Sequence, residues 1–453
     1  MATFRRFANG IRYTSEGTDA SLLQSSRPAG LSTPRGNLMG LAIDLDGTIR
    51  ELHPGKTLER LKPLLPEFGI TRLANITGLD TIGIPVWTAV RPLARSLSVS
   101  QGKGVTQELA VVSAIMESIE VFHAEQHRTL PESRDLFECK SDPSFVSPRW
   151  LAIRADADLT GDRKISWVKG EDLFGGGAKW IPAELFDLDF SKREAPPVFL
   201  SSSNGLASGN TRMEAIIHGL CEVIERDQSS FWSLEKDLSD SRINRRVMID
   251  SVADPVCRSL VEKCMSAGLD IFLWYITVNI DVPVFACTLS DQRNNTPYPQ
   301  HATGYGCHPV ATIALARAIT EAIQSRLTHI SGLREDLTWS RYREEFSCDT
   351  TKNRSSLAKM AEQPSTVDFG KLCTAPDGKL LDMSSLLREI LDRLEKANLR
   401  SAIVIDLAEN EVFSAVFVCV PGLEHKSPKA NVLYTPGFRM RDYMKQHGTY
   451  SDD

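Results

Sequence analysis

Three separated segments of this chain carry acidic side chains at helical spacing inside stretches that are otherwise apolar. Glutamate is rarely buried without a partner, so helices of this kind cannot pack into a core unless their carboxylates are compensated. The segments are SAIMESIE (113–120), NTRMEAIIHGLCEVIER (210–226) and EAIQSR (321–326). A shared cation reconciles carboxylates with a packed interior. Several carboxylates together with Asn, Gln and Arg suit a hard metal and a polyphosphate, which indicates magnesium and a nucleotide.

The second segment gives the clearest geometry. At about 3.6 residues per turn, Glu214 and Glu225 lie about 20° apart around a helix, and Glu222 lies about 80° from Glu214. Ala, Ile, Leu and Val occupy most of the remaining positions. Too little polar surface is left for an exposed helix, so a solvated acidic stripe does not explain this segment. We predict one helix face that carries three carboxylates.

The first segment is open to two interpretations. Ser113, Glu117 and Glu120 are four and three residues apart, so they share a helix face. Taken alone, this pattern fits a solvated acidic stripe as well as it fits a buried site, because most charged helix positions face water. Two or more carboxylates at this distance repel each other unless they are protonated or bridged by cations.

Composition and charge exclude several classes of protein. The 453 residues include 24% charged and 42% hydrophobic residues, which are globular values, and the net charge of −6 offers no basic footprint for nucleic acid. No apolar run approaches the roughly 20 residues of a membrane span, and the N-terminal sequence lacks the apolar core of a secretion signal. Nine cysteines without a CxxC pair favour reduced thiols. We predict a cytoplasmic protein that binds neither nucleic acid nor membrane.

The order of patterns along the chain predicts one large domain with two polar ends. Residues 1–40 are rich in Ser, Gly, Arg and Thr and are predicted to form a flexible extension, and 441–453 are predicted to form a polar tail. The large domain is predicted over 41–440. Its strongest local patterns predict helices over 106–127, from 211 onward, over 309–330 and over 386–394, strands within 84–100 and 269–290, short strands and loops over 130–195, and a hairpin over 402–420.

A different motif supports a competing enzyme function. Residues 41–49 read LAIDLDGTI, which matches the nucleophile motif of haloacid-dehalogenase-type phosphatases, with Asp44 as nucleophile and Asp46 as acid. That motif requires a following α/β core with a Ser or Thr, a Lys and a late acidic pair. Here Pro54 and a proline-interrupted segment follow instead. The phosphatase stays the alternative enzyme, and a nucleotide-binding scaffold of a modification complex is the non-enzymatic alternative.

Taken together, the three acidic segments and their flanks resemble the YcaO family over roughly 41–424. The matching stretches are ITGLDTIGIPVWTAVRPLARSLSVSQGKGVTQELAVVSAIMESIE (76–120), GLASGNTRMEAIIHGLCEVIERD (205–227), GYGCHP (304–309), ALARAITEAIQSR (314–326) and VPGLE (420–424). The resemblance implies an α+β fold whose mixed sheets and helices line an internal ATP cleft. It also implies that ATP phosphorylates a peptide backbone amide oxygen, after which a nucleophile attacks the amide carbon to give an azoline or a thioamide.

The resemblance also implies roles for individual residues. The residues that would hold magnesium are Glu117, Glu120, Glu214, Glu222 and Glu225. Those that would contact the nucleotide are Ser113, Asn210, Arg226, Glu321, Gln324 and Arg326, with Lys103 and Arg95 as candidate phosphate contacts. Those expected to matter most for catalysis are Glu117, Glu214, Glu225 and Arg226. These assignments suit phosphoryl transfer, which depends on charge neutralisation and alignment more than on a protein nucleophile.

The chain departs from many azoline-forming members at its C-terminal end. Those members carry a proline-rich PxPxP tail, whereas this sequence ends RMRDYMKQHGTYSDD (439–453). The sequence also shows no leader-peptide recognition domain. We therefore expect a partner protein, of the ThiF-like or TfuA-like kind that accompanies family members, to deliver peptide or sulfur. The peptide is the expected substrate, and a homodimer is compatible with the resemblance.

Overall fold

A computed structural model describes most of the chain between 42 and 446. The described residues are 42–126, 132–135, 142–157, 164–175, 177–191, 196–238, 245–291, 300–337, 364–373, 382–425 and 434–446. All of them belong to the compact unit Gly40–Asp453. The extension expected over 1–40 and the last seven residues of the expected polar tail lie outside the described residues, and the limits 41–440 of the catalytic domain stay a prediction.

The fold combines helices with short and medium strands in mixed order, which confirms the predicted α+β class. The helices are Pro54–Leu61 (α1), Gln107–Glu125 (α2), Arg212–Leu238 (α3), Pro255–Ser266 (α4), Ala311–Ser331 (α5), Phe369–Leu372 (α6), Met383–Lys396 (α7) and Phe438–Gln446 (α8). The strands are Ile43–Asp44 (β1), Ile49–Arg50 (β2), Arg72–Asn75 (β3), Val86–Val90 (β4), Val99–Lys103 (β5), Glu132–Asp135 (β6), Ile153–Arg154 (β7), Lys164–Asp172 (β8), Ala178–Pro182 (β9), Leu206–Gly209 (β10), Arg246–Val247 (β11), Leu269–Tyr275 (β12), Val284–Asp291 (β13), His301–Cys307 (β14), Ser365–Val367 (β15), Ile403–Glu409 (β16), Ser414–Cys419 (β17) and Tyr434–Thr435 (β18).

The strands form two larger sheets and several small ones. One larger sheet has the order β10-β17-β16-β8-β6, with β9 paired to β8, and the other has the order β14-β13-β12-β11-β15. Neighbours in both are antiparallel except β11 and β15. A three-stranded sheet β3-β4-β5 and the pairs β1-β2 and β7-β18 complete the set. The hairpin predicted over 402–420 is therefore confirmed as β16 and β17.

The three acidic segments all lie on helices, as predicted. Helix α2 begins where Thr106 Oγ1 accepts a hydrogen bond from Leu109 N at 3.2 Å, which is an N-cap arrangement. Helix α5 ends at Gly332, whose φ of 59° is the left-handed conformation common at helix C-termini. The predicted helix over 386–394 is the central part of α7, and the described part of 130–195 contains β6 to β9.

Each of the three acidic helices follows directly on a strand that packs against it. The pairs are β5 with α2, β10 with α3 and β14 with α5. In two of them the strand backbone lies against the helix backbone. A Cβ on Gly102 would stand 2.0 Å from Ala114 N, and a Cβ on Gly304 would stand 2.1 Å from Ala322 N. Glycine is required at these close approaches because any side chain would separate strand from helix.

Helix α3 lies between the two larger sheets. It packs against β10 and β17 on one side and against β14 on the other. Its Ile216, Leu220 and Ile224 are buried in one core cluster with Val404 and Val418. Because these apolar residues face the sheets, the acidic positions of α3 are held inside the protein near α2 and α5. No helix in the described ranges combines the length and the apolar character needed to cross a membrane.

Candidate functional site

Acidic side chains from α2, α3 and α5 form one electrostatic cluster. The Glu117, Glu222 and Glu225 carboxyls each have a pKa raised to about 7, chiefly because burial disfavours the charged form. The carboxylate of Glu321 raises the pKa of all three further. Glu321 is thus the common neighbour of acidic residues from the other two helices, and the four side chains define the carboxylate cluster.

Two cations partly neutralise the carboxylate cluster. Lys103 Nζ lies 2.7 Å from Glu321 Oε2, and Arg226 Nη2 lies 3.8 Å from Glu222 Oε1. Burial alone would raise the pKa of Glu321, but the charges of Lys103 and Arg226 outweigh it and hold the pKa below its usual value. Strand β5 therefore brings Lys103, the lysine of Gly-Lys-Gly, to the acidic helices. The phosphate contact implied for Lys103 and the nucleotide contact implied for Arg226 stay predictions.

Glu120 extends the cluster toward β10. Its Oε1 accepts a hydrogen bond from Ser208 Oγ at 2.5 Å. The pKa of Glu120 is raised well above its usual value by burial, and the nearby charges of Glu117 and Glu222 raise it further. Glu120 thus stays within electrostatic reach of both α2 and α3 neighbours.

Glu214 occupies a separate end of the site. Its carboxylate accepts hydrogen bonds from Asn210 N at 2.8 Å and from Asn210 Nδ2 at 3.0 Å, as well as from Glu51 N. Asn210 Oδ1 in turn accepts a hydrogen bond from Thr57 Oγ1 at 2.7 Å. At about 1.5 Å per residue, the eleven residues from Glu214 to Glu225 span roughly 16 Å along α3. The shared face predicted from the sequence is therefore an extended row of carboxylates.

The length of this row of carboxylates limits which ligands the acidic residues can bind. Glu214 is too far from Glu225 for both side chains to contact one ion. Across the residues that the structure describes, no three His, Cys, Asp or Glu side chains converge on a single metal-sized point. The donor chemistry is nevertheless the oxygen chemistry that Mg²⁺ prefers. The arrangement suits an elongated ligand that bridges the row and brings its own oxygens to the metal.

Two arginines that the sequence patterns did not predict lie beside this row. Arg50 of β2 interacts electrostatically with Glu214 and Glu120. Arg317 of α5 lowers the pKa of Glu222 and of Glu225. Arg317 precedes Glu321 by four residues, so helical spacing could have found it. No local signal marks Arg50, because only the folded hairpin brings it to Glu214.

A pocket at the Glu214 end is lined by both arginines. Arg317 Nη2 donates a hydrogen bond to His218 Nε2 at 3.3 Å. The pKa of His308 is lowered to about 3 and that of His218 falls well below its usual value, first through burial and then through Arg317, so both rings are neutral at pH 7. The positive charge of the pocket therefore comes from the arginines. Its lining consists of Thr48, Ile49, Arg50, Glu214, Ile217, His218, Cys221, Cys307, His308, Ile313, Arg317, Met383 and Leu386.

Two of the predicted nucleotide or phosphate contacts have other partners. Arg326 is buried, and its guanidinium lies 2.8 Å from Asp80 Oδ2 and 3.1 Å from Asp291 Oδ2. Arg95 Nη1 lies 2.8 Å from Asp189 Oδ2. The structure pairs these charges within the fold and does not bring them into the carboxylate cluster, so their nucleotide contacts stay predictions.

The remaining predicted contacts lie near the cluster. Gln324 Nε2 donates a hydrogen bond to the Gln101 carbonyl at 2.9 Å, which links α5 to β5 two residues before Lys103. Ser113 is half-buried on α2, one turn before Glu117. Both residues are placed on the elements that form the cluster, and their contact with a nucleotide stays a prediction.

The Asp-x-Asp motif lies on an exposed hairpin. Asp44 and Asp46 are exposed, and Asp46 N donates a hydrogen bond to Asp44 Oδ1 at 3.2 Å. Within the described ranges, the strand that carries Asp44 pairs with β2 alone, in an antiparallel two-stranded sheet. A phosphatase of this type needs an α/β core at the end of that strand. The fold therefore does not favour the phosphatase alternative.

The raised pKa of Glu222 leads to a prediction about stability. Because the pKa is about 7 in the folded protein and about 4.5 in the unfolded chain, the folded state binds more protons between these values. Ionisation of Glu222 therefore costs stability as the pH rises through this window. We expect Glu222→Gln, which cannot ionise, to gain stability relative to the wild type as the pH rises. Urea unfolding of both proteins in EDTA measures the difference, and a difference independent of pH would contradict the assignment.

Comparison with known proteins places the chain among similar sequences and folds. A family model described as YcaO cyclodehydratase, ATP- and Mg²⁺-binding, matches residues 101–424. An uncharacterized protein in the tfuA 3′ region of Rhizobium leguminosarum bv. trifolii is 34% identical over 392 residues, which are 83% of this chain and 88% of that protein.

Solved structures share the fold. The structure of YcaO from Methanopyrus kandleri, bound with AMPPCP and Mg²⁺, has a TM-score of 0.65 and 24% identity, and the match covers 86% of this chain and 95% of that one. A heterocyclase in complex with substrate and cofactor has a TM-score of 0.68 and 20% identity, over 83% of this chain and 53% of the heterocyclase. At 24% and 20% identity, these two structures show that this chain has a similar fold.

Proposed function

This chain belongs to the YcaO family of ATP- and Mg²⁺-binding proteins, and from this premise we propose that it activates a peptide backbone amide with ATP. The amide oxygen attacks the γ-phosphorus of ATP, ADP leaves, and the amide is O-phosphorylated. A nucleophile then adds to the amide carbon, and phosphate leaves with the former amide oxygen. A Cys, Ser or Thr side chain of the peptide gives an azoline, and an external sulfide gives a thioamide.

The observation that carries this proposal is the row of carboxylates flanked by cations along α2, α3 and α5. Phosphoryl transfer needs alignment and charge neutralisation rather than covalent chemistry by the protein. When bound, Mg²⁺ would neutralise phosphate charge and orient the γ-phosphoryl group. Glu117, Glu222 and Glu225 around Glu321 have the oxygen donors to hold it. Glu120 and Glu214, which lie toward the two ends of the row, would be the remaining Mg²⁺ ligands.

Four cations beside the row of carboxylates are the phosphate contacts in this proposal. Lys103 and Arg226 reach the carboxylate cluster, and Arg50 and Arg317 line the pocket at the Glu214 end. The buried Nε of Arg317 has no hydrogen-bond partner in the described part of the chain. A buried donor without a partner is costly, and an anionic oxygen would satisfy it. The site therefore fits a polyphosphate.

The cysteines of the described residues support a mechanism without a protein nucleophile. All of them except Cys373 are buried. Burial raises the pKa of Cys264 and of Cys419 to about 12, which leaves these thiols protonated at neutral pH. A protonated thiol is a poor nucleophile. The bonds of the proposed reaction are accordingly formed between ATP, the peptide and its nucleophile, while the protein aligns them.

A peptide and a partner protein belong to the proposal. The relative in the tfuA 3′ region supports a TfuA-like partner, and a ThiF-like protein is the other candidate. Amide activation requires the target carbonyl oxygen within near-attack distance of the γ-phosphorus, so peptide placement controls the rate. We propose that the partner supplies this placement or delivers sulfur.

The experiment is a reconstitution followed by mass spectrometry. The full chain is incubated with the peptide encoded beside it, ATP and Mg²⁺, with and without sulfide and with and without the partner. Loss of one water without sulfide identifies an azoline, and replacement of oxygen by sulfur only with sulfide identifies a thioamide. ADP and phosphate should form in step with product. An unmodified peptide in every arm, with partner and sulfide present, would overturn the proposal.

The same assay tests the phosphatase alternative through Asp44→Asn. Because Asp44 is exposed and outside the carboxylate cluster, we expect peptide-dependent ATP consumption to stay at the wild-type rate. In a phosphatase of the Asp-x-Asp type this change removes the nucleophile, and activity would vanish. Asp46→Asn, which removes the acid of the same motif, should likewise leave the rate unchanged, whereas a phosphatase of this type would lose activity with either change. Detection of an aspartyl-phosphate at Asp44 would support the phosphatase instead.

A further inference from the structure

The side of α3 turned away from the carboxylate cluster carries a buried ion pair with the C-terminal helix. Asp227 follows Arg226 directly and is fully buried. Its Oδ1 accepts hydrogen bonds from Arg439 Nη1 at 2.8 Å and from Glu424 N at 2.9 Å. Arg439 Nη1 also donates to the Gly422 carbonyl at 3.2 Å. One carboxylate of α3 thus joins α8 to the segment that follows β17.

Apolar packing extends this contact along α3. Asp227, Phe231 and Leu234 are spaced at i, i+4 and i+7, so they share one helix face. The guanidinium of Arg439 lies 5.5 Å from the Phe231 ring centroid, and Phe231 and Tyr443 pack edge to face at 5.3 Å. Phe231 and Leu234 form a small core cluster with residues of α8. Helix α8 therefore covers the face that begins at Asp227.

Glu225 and Arg226 lie on the same rigid helix as the face covered by α8. Successive residues of an α-helix are about 100° apart, so Arg226 and Asp227 point in different directions but cannot rotate independently. Ser230 Oγ donates a hydrogen bond to the Arg226 carbonyl at 2.7 Å, within the same turn. A rotation of α3 about its axis would move Glu225, Arg226 and Asp227 together. A contact that fixes Asp227 consequently fixes the direction of the other two.

We propose that Arg439 is a positioning residue of the ATP site, which acts through Asp227 to set the rotation of α3 and hence the placement of Glu225 and Arg226. This inference rests on the proposed function, because it assumes that those two side chains act on Mg²⁺ and the phosphates. Arg439 itself contacts neither the carboxylate cluster nor the pocket lined by Arg50 and Arg317. Its effect on turnover would be indirect.

The test compares three variants of the full chain. Arg439→Ala should lower kcat by about 100-fold, because misplacement of a site by about 1 Å has an effect of this size. Arg439→Lys, which keeps the positive charge, should recover part of that loss. Arg441→Ala is the matched control, since Arg441 lies on the same helix and is not paired with Asp227. It should retain the wild-type kcat and the wild-type KM for ATP.

A double-mutant cycle separates positioning from general stabilisation. If Arg439 acts through Arg226, the combined loss in Arg226→Lys with Arg439→Ala should be smaller than the product of the single losses. A lower melting temperature with unchanged kcat and KM per folded molecule would overturn the inference. A loss of activity in the double mutant equal to the product of the two single losses would also overturn it. Both would mean that Arg439 is merely structural.

A binding measurement keeps this inference distinct from the proposed function. Calorimetry with AMPPCP and Mg²⁺ reports on the site without turnover. We expect Arg439→Ala to weaken this binding and Arg441→Ala to leave it unchanged. If the wild-type chain modifies no peptide but Arg439→Ala still weakens AMPPCP binding, the proposed function fails and the positioning role stands. Equal binding by wild type and Arg439→Ala overturns the positioning role whatever the peptide assay shows.

Discussion

Glu225→Gln should reduce peptide-dependent ATP turnover at least about 100- to 1,000-fold, the range observed when one preorganised electrostatic contact to a transition state is lost. Glu225 is 3% exposed and shares the carboxylate cluster with Glu321. Glutamine has almost the same shape but carries no charge, so it removes the anionic ligand that we propose for Mg²⁺ without leaving a cavity. The measurement is the rate of ADP formation with saturating peptide, ATP and Mg²⁺.

The same variant should remain folded. Burial, and then the charge of Glu321, raises the pKa of Glu225 from 4.5 to about 7, so the wild type loses stability as the pH rises between these values, and the full loss persists above pH 7. Without metal or nucleotide, Glu225→Gln should therefore be at least as stable as the wild type. Mg²⁺ with nucleotide should raise the melting temperature of the wild type more than that of the variant. Glu262→Gln, at an exposed position of α4, is the control for both measurements. Full turnover by Glu225→Gln would show that the cluster is not the ATP site.

Arg326→Met should lower the free energy of unfolding by about 3–5 kcal/mol, the usual result when one member of a buried ion pair is removed. The side chains of Arg326, Asp80 and Asp291 are at most 2% exposed. Methionine fills much of the space but leaves two carboxylates without their guanidinium. Urea unfolding gives the change, and adding Asp80→Asn and Asp291→Asn should restore part of the loss because it removes both charges.

Arg258→Met provides the matched control for this experiment. Arg258 pairs with Glu262 at 2.9 Å on the surface of α4, and exposed pairs contribute less than about 1 kcal/mol. A direct nucleotide contact by Arg326 would give a different pattern. In that case Arg326→Met would raise the KM for ATP while the free energy of unfolding stayed near the wild-type value. The two outcomes distinguish a residue that holds the fold from one that holds the ligand.

Local patterns were sufficient to locate the three acidic helices. Apolar residues at helical spacing around Glu214, Glu222 and Glu225 predicted a buried α3, and the structure places it between two sheets. The angular pattern did not show whether the carboxylates are close enough to bind one ion, because a helical wheel leaves out the distance along the helix axis. Once the rise per residue is included, Glu214 and Glu225 belong to opposite ends of an elongated site.

A local motif supported an alternative function that the fold does not favour. The Asp-x-Asp sequence at 44–46 matches a phosphatase nucleophile, but its meaning depends on the strand and core around it. In the fold the motif belongs to a two-stranded hairpin that brings Arg50 to Glu214. The contribution that we propose for this hairpin therefore comes from Arg50, which no motif marked.

Residue order alone is enough to predict the helices and strands and the side chains that share one face of each. Helical spacing is a local property, so the shared faces of α2, α3 and α5 follow from residue order alone. Which charges meet is decided by packing over long separations. Lys103 reaches Glu321 across 218 residues because β5 packs on α5, and Arg326 reaches Asp80 across 246 residues. Arg326 lies five residues after Glu321, and at about 100° per residue the two side chains point about 140° apart, one toward the cations of the site and the other into a buried ion pair.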